Sequence, residues 1–170
     1  MGIILKTARL ILRTWALEDA DDAFRIWGNA EVMRFVGKPL ESVEVAQRAL
    51  SNALAAQEKN GFCLWAAMEK SSGEVIGCCG FHLYKDGSAL ELAYHFIPSS
   101  WRHGYATEAA AACVKYGFGR LNRPKIVAFA HPDNAASNRV LEKIGMRYKG
   151  LVPHEGTEEK LYELEQSGEA

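Results

Sequence analysis

The apolar run Leu10–Trp15 reads as an opening strand. Glu18–Trp27 reads as a short helix whose first turn carries Glu18, Asp19, Asp21 and Asp22, a placement that suits the positive end of a helix. The segment Gly28–Leu40 is broken by Gly28, Gly37 and Pro39. Ser42 then predicts an N-cap for a helix to about Lys59. Val43, Ala46, Leu50 and Leu54 form its apolar stripe, and Asn60-Gly61 stops it. Three strands follow as a meander: Phe62–Met68, Glu74–Tyr84 and Ala89–Ile97. Ser71-Ser72-Gly73 turns the first hairpin and Asp86-Gly87 the second. A Gly-containing loop leads into an Ala-rich helix, Tyr105–Gly119. Lys125–Ala130 is a further strand, and His131-Pro132-Asp133-Asn134 breaks it and starts a helix ending at Gly145. Met146–Leu151 and Lys160–Leu164 make a final pair of strands, and Glu165–Ala170 reads as a frayed tail. This order predicts an α+β fold with a mixed, mostly antiparallel central sheet of about seven strands and helices on both faces. No linker or internal repeat divides it, so residues 1–170 are expected to form one domain.

Composition narrows the function. Hydrophobic residues make up 48% of the 170 residues and charged residues 24%, enough for a core and a solvated surface. A formal net charge of −1 argues against a general nucleic-acid binder, which needs a positive field to displace counterions. Lys6, Arg9 and Arg13 interrupt the N-terminal apolar run well short of the roughly 18–20 residues of a membrane span. Gly2 follows Met1, but Lys6 stands where a myristoylation signal takes Ser or Thr. A soluble cytoplasmic protein, monomer or homodimer, is expected. Cys63, Cys78, Cys79 and Cys113 show no CxxC spacing, so they read as small buried apolar residues, with Cys113 as a nucleophile the alternative. No metal constellation is visible.

The chemistry concentrates at His95–Ala109, where a strand runs through a short loop into a helix. The first helical N–H groups have no intrahelical partner and present a positive dipole end to an anion. Gly104 lets backbone approach a phosphate, Ala106 adds little bulk, and Arg102 and His103 can add donors. Many strand-to-helix turns hold one Gly, so the feature alone is weak. It matches neither the P-loop nor the dinucleotide fingerprint.

Trp101-Arg102-His103-Gly104-Tyr105-Ala106-Thr107-Glu108-Ala109 closely resembles the acetyl-CoA loop of the GNAT acetyltransferase superfamily, and more narrowly that of its RimJ/RimL-like subfamily, which acetylates ribosomal-protein N-termini. Arg9–Arg13, Glu31–Phe35, Gly73–Gly77 and His131–Met146 resemble further segments of it, in order along nearly the whole chain. The resemblance implies a GNAT-like fold and transfer of an acetyl group from acetyl-CoA to an amine by direct attack in a ternary complex. It implies a cosubstrate site of Phe96, Ile97, Trp101, Arg102, His103, Gly104, Tyr105, Ala106, Thr107, Asn134 and Ser137. Backbone around Phe96 and Ile97 would pair with the pantetheine amides, Asn134 would bond the pantetheine arm, and Ser137 would sit near the sulfur. Many members carry a Tyr in the last helix that protonates the thiolate. Leu141 stands there instead, which leaves Ser137 as the nearest hydroxyl by motif, or as a helix-capping residue.

Glu91 is the candidate general base, since an ammonium must lose a proton before its nitrogen attacks a thioester; a plain solvated carboxylate is the alternative. In period-2 alternation it shares a face with Ala93, His95 and Ile97. His95 is a second candidate base or a hydrogen-bonding spacer. His82 and His154 read as surface or loop residues. Trp15, Trp27, Phe35 and Trp65 read as core or as acceptor-pocket lining. Gly28–Leu40 and the loop Val152–Glu158 are candidates for the acceptor rim. The acceptor, a peptide N-terminus or a small-molecule amine, is not readable from the chain. A noncatalytic CoA-sensing or partner-binding module on the same fold is the alternative function.

Overall fold

The structure, a computed structural model, describes residues 2–85 and 87–166. Eight strands form one sheet: β1 (Ile3–Lys6), β2 (Leu10–Arg13), β3 (Leu64–Glu69), β4 (Val75–Tyr84), β5 (Ala89–Phe96), β6 (Lys125–Ala130), β7 (Arg147–His154) and β8 (Thr157–Glu165). Their order is β1-β2-β3-β4-β5-β6-β8-β7. Every neighbouring pair is antiparallel except β5 and β6, whose connection must cross over the sheet. The strand added to the expected set is β1, only four residues long. Asp86, expected to turn the β4–β5 hairpin, and the tail residues 167–170 lie outside the described residues.

The helices are α1 (Ala20–Trp27), α2 (Ala30–Met33), α3 (Val43–Asn60), α4 (Tyr105–Gly119) and α5 (Ala135–Lys143). Among the described residues none is long and apolar enough to cross a membrane. Ser42 caps α3 by accepting from the Val45 N–H at 3.4 Å, and Gly61, at φ 81°, ends it. Helix α4 is the β5–β6 crossover. It buries Ala109, Ala110, Cys113 and Gly117 against the sheet. A methyl on Gly117 would meet Ile126 Cδ1 at 2.9 Å, so only glycine lets the helix lie this close. α1 covers the opposite face, where Trp27 meets His95. Trp15 and Trp65 are core side chains, 1% and 0% exposed. All four cysteines are buried and free, with Cys79 against Cys113 and Cys78 against His95.

Two differences from expectation have physical causes. Asp19 stands at the helix start as expected, but with a partner that the local pattern does not show. Its carboxylate is buried and forked onto Arg13, Oδ2 to Nη1 at 2.7 Å and Oδ1 to Nη2 at 2.9 Å, and Oδ2 also accepts the Ala16 N–H. The candidate rim loop Val152–Glu158 is mostly strand. β7 and β8 pair as far as His154 and Thr157, and the turn needs only Glu155 and Gly156, both at positive φ.

Candidate active site

The register between β5 and β6 creates the site. Only Leu90↔Ile126 and Glu91↔Val127 pair, after which the two strands part. On the other side β5 stays paired with β4 as far as Phe96. In an antiparallel ladder, backbone groups alternate between the two flanks. The Ile97 N–H goes to Ile76 O at 3.0 Å. Counting back, Tyr94 and Phe96 turn their N–H and C=O toward the opening, joined by the Leu92 C=O, while the Leu92 N–H serves the Glu91–Val127 pairing. A slot therefore lies in the plane of the sheet, with Glu91 at its closed end and the β5–α4 loop at its mouth.

This geometry separates the two residues expected to pair with pantetheine. The Ile97 carbonyl accepts both the N–H and the hydroxyl of Ser100, so its backbone is wholly used inside the protein. Phe96 faces the slot, and its carbonyl accepts the Trp101 indole N–H at 2.7 Å. Trp101 thereby closes the turn Pro98–Ser100 back onto the strand while the residue stays 42% exposed.

Arg102 and Gly104 both adopt left-handed backbone, φ 66° and 81°, and curl the loop into the start of α4. The N–H groups of Tyr105, Ala106 and Thr107 lie in the first helical turn, where no helix carbonyl can accept them. Arg102, His103 and Gly104 are exposed; Tyr105, Ala106 and Thr107 are half-buried. The loop is braced from the opening segment. Arg9 donates to Glu108 at 2.7 Å and to the His103 carbonyl at 2.8 Å, and its guanidinium lies 4.4 Å from the Tyr105 ring centroid. Glu108 also accepts the Thr7 hydroxyl, and the Tyr105 hydroxyl donates to Glu69. Two of the sequence segments that carry the resemblance, Arg9–Arg13 and Trp101–Ala109, are thus bonded to each other.

Asn134 caps α5, its Oδ1 accepting the Ser137 N–H at 3.1 Å. The Ser137 hydroxyl meets the Tyr94 hydroxyl at 2.9 Å, and Tyr94 also reaches the Ser137 carbonyl at 3.2 Å. Sequence reasoning missed Tyr94. Its place on the α4 face of β5 followed from the alternation, but its partner on α5 did not. Asn138, buried beneath, donates to the His131 and Asn134 carbonyls and accepts from Tyr162, which fixes the start of α5.

Glu91 projects on the other face. Its side chain is 19% exposed, and His154 Nε2 lies 3.4 Å from its Oε1. Burial pushes the carboxyl above the ordinary range, Glu155 and Glu159 add to the rise, and His154 counters it. The expectation that His154 is a bland loop residue fails, because the tight β7–β8 hairpin carries it onto the sheet. There its ring stacks on Phe129 at 3.7 Å. His95 is a spacer. Its Nδ1 accepts the Trp27 indole N–H at 3.1 Å, and burial, with His82 nearby, holds its imidazole down at about 4. Phe35 is half-buried and stacks on His131.

The slot thus has a hydroxyl pair on one face and a carboxylate on the other, with a ring of free amides at its mouth. The acetyltransferase (GNAT) domain profile matches residues 9–147. The uncharacterized N-acetyltransferase YoaA of Bacillus subtilis (strain 168) is 39% identical over 154 residues, covering 88% of this chain and 85% of its own. The crystal structure of an acetyltransferase from Agrobacterium tumefaciens str. C58 superposes with a TM-score of 0.84 at 28% identity, covering 98% of this chain and 96% of that one. RimL, a ribosomal L7/L12 alpha-N-protein acetyltransferase solved in complex with coenzyme A, has the same fold, with a TM-score of 0.84 at 16% identity over 96% of this chain and 98% of its own. The slot between β5 and β6, the braced loop and the matched profile together make this chain a member of the GNAT acetyltransferase family.

Proposed function

We propose that the protein transfers the acetyl group of acetyl-CoA to a primary amine by direct attack in a ternary complex, as a cytoplasmic enzyme near the RimJ/RimL-like branch. The observation that carries this is the slot. It offers a ligand strand the outward backbone of Tyr94 and Phe96 and the Leu92 carbonyl, and it leads from the amides at the start of α4 to the carboxylate of Glu91.

In this reading the amides of Gly104 to Thr107 hold the pyrophosphate, with Trp101, Arg102 and His103 at its edge. The pantetheine amides meet Phe96 rather than Ile97. The Asn134 cap uses only its oxygen, which leaves its amide nitrogen for the pantetheine arm. A thioester lying in the plane of the sheet is reached from both faces. Glu91 takes the proton of the acceptor ammonium from one side. From the other, Ser137, with Tyr94 donating to it, turns its own O–H toward the developing thiolate. The acceptor enters on the α1 face, between Phe35 and the β7–β8 hairpin. A peptide N-terminus and a small amine both suit that opening.

The test is free CoA release from acetyl-CoA in the presence of an N-terminal alanine hexapeptide, spermidine or tobramycin, with calorimetric binding of CoA against ATP and NAD. CoA-selective binding and amine-dependent release are expected. Binding of CoA without release to any amine would leave the noncatalytic reading standing in its place.

A further inference from the structure

Glu91 stands at the end of the slot as a partly buried carboxylate among others. Glu155 in the hairpin turn and Glu159 on β8 both raise its proton affinity. His82 lies directly across on β4, and His131, after β6, faces Glu159. A carboxylate so placed tends to keep its proton, and a protonated carboxyl cannot take one from an ammonium. One neighbour works the other way. His154 meets Glu91 at 3.4 Å, is itself only 18% exposed, and lies flat on Phe129 at a 4° interplanar angle. Phe129 shares a face of β6 with Val127, the residue paired in register with Glu91. The imidazole is therefore anchored beside the carboxylate by the sheet, although it arrives on a hairpin.

We infer that His154 is the positioning residue of the general base, holding the Glu91 carboxylate in place and in its proton-accepting form. The inference rests on the acetyl-transfer reading for the role of Glu91, though the pair exists without it. In the reaction, the acceptor R–NH3⁺ gives one proton to the Glu91 carboxylate beside His154. The freed amine attacks the thioester carbonyl and the C–N bond forms. The C–S bond breaks with its electron pair on sulfur, and the second amine proton ends on that thiolate. Glu91 then returns its proton to solvent.

The pair is tested first without turnover, by comparing the histidine ring NMR resonances of wild type and Glu91→Gln under one set of conditions. Loss of the carboxylate 3.4 Å from Nε2 should shift the His154 ring resonances and leave those of His103 in place. Unmoved His154 resonances overturn the inference. Turnover is then followed against pH with the best of the three amine acceptors. His154→Gln should move the acid limb of kcat/KM to higher pH, because Glu91 loses the neighbour that favours its charge. Glu159→Gln should move it to lower pH, because a like charge is gone. Neither should change the KM for acetyl-CoA. A purely structural His154 would leave the limb in place, and that result also overturns the inference. His154→Asn serves if the Gln variant melts early. Wild type that releases CoA to none of the amines defeats the acetyl-transfer proposal, while the ring resonances still decide the pair.

Discussion

At the residue scale the outcome turns on which atoms each side chain already uses. His95 has one ring nitrogen occupied by the Trp27 indole N–H, so that nitrogen is not open to a proton from an acceptor. Glu91→Gln should therefore lower turnover by roughly 10²–10⁴-fold. The loss should be greatest at low pH, where the acceptor is fully protonated, with acetyl-CoA binding almost unchanged. Because its carboxyl sits above the ordinary range, wild-type activity should fall off at a higher pH than an unperturbed glutamate would give. Full activity across pH in the Gln variant would make Glu91 structural. Ser137 has its N–H taken by Asn134 and its hydroxyl by Tyr94, not by the helix backbone. Ser137→Ala should cut turnover about tenfold or more with little change in acetyl-CoA affinity. Tyr94→Phe should act in the same direction, and the double variant should be no slower than Ser137→Ala alone. Additive losses would show that the two hydroxyls act apart.

At the element scale the β5–α4 connection combines a strained entry with a free helix end. Gly104 has φ 81°, and a methyl there would meet only Arg9 Nη2, at an ordinary 3.5 Å. The cost of a side chain is thus conformational rather than steric, about 1–2 kcal/mol for an L-residue. Gly104→Ala and Gly104→Val should both lose about that much unfolding free energy in urea denaturation. In folded protein Gly104→Val should bind CoA more weakly than Gly104→Ala, since its methyls crowd the approach to the amides. Equal CoA affinity in wild type and the folded valine variant would remove this loop from the site. Asn134→Ala tests α5 in the same way, with about 0.5–2 kcal/mol lost from its cap.

For the whole molecule, the Arg13–Asp19 fork ties β2 to the turn before α1, and so helps fix the helix that covers the Glu91 face. Burial pushes the Asp19 carboxyl up, but the bond and charge of Arg13 with the Ala16 amide outweigh it and hold the group below its ordinary value. A depressed carboxylate contributes stability that is complete above its unfolded range and is lost as pH falls through the lowered value. Asp19→Asn should cost about 3–5 kcal/mol near neutrality, because it leaves a buried guanidinium unpaired. It should also flatten the acid side of the stability–pH curve. Melting the two proteins from neutral pH downward checks both statements.

Elements with strong local signals were legible in the chain. Ser42 and Gly61 bound α3, Lys125–Ala130 is β6 to the residue, and the Gly104 loop opens α4 as expected. The family's motif was legible because it is contiguous, and phosphate-binding backbone needs a specific run of residues. The four-residue β1 and α2 were not, since so few residues show no period. Nor were the bounds of the β7–β8 hairpin, whose polar strand ends gain their definition from pairing with each other. By itself the sequence determined the fold class, the family resemblance and the face on which Glu91 lies. Tertiary structure alone decided that β5 and β6 part after Glu91, that Ile97 has no backbone group left to offer, and that Arg9 meets Glu108, Tyr94 meets Ser137 and His154 meets Glu91. Such contacts depend on strand order and register, which are set by how whole faces pack rather than by the preference of any short segment.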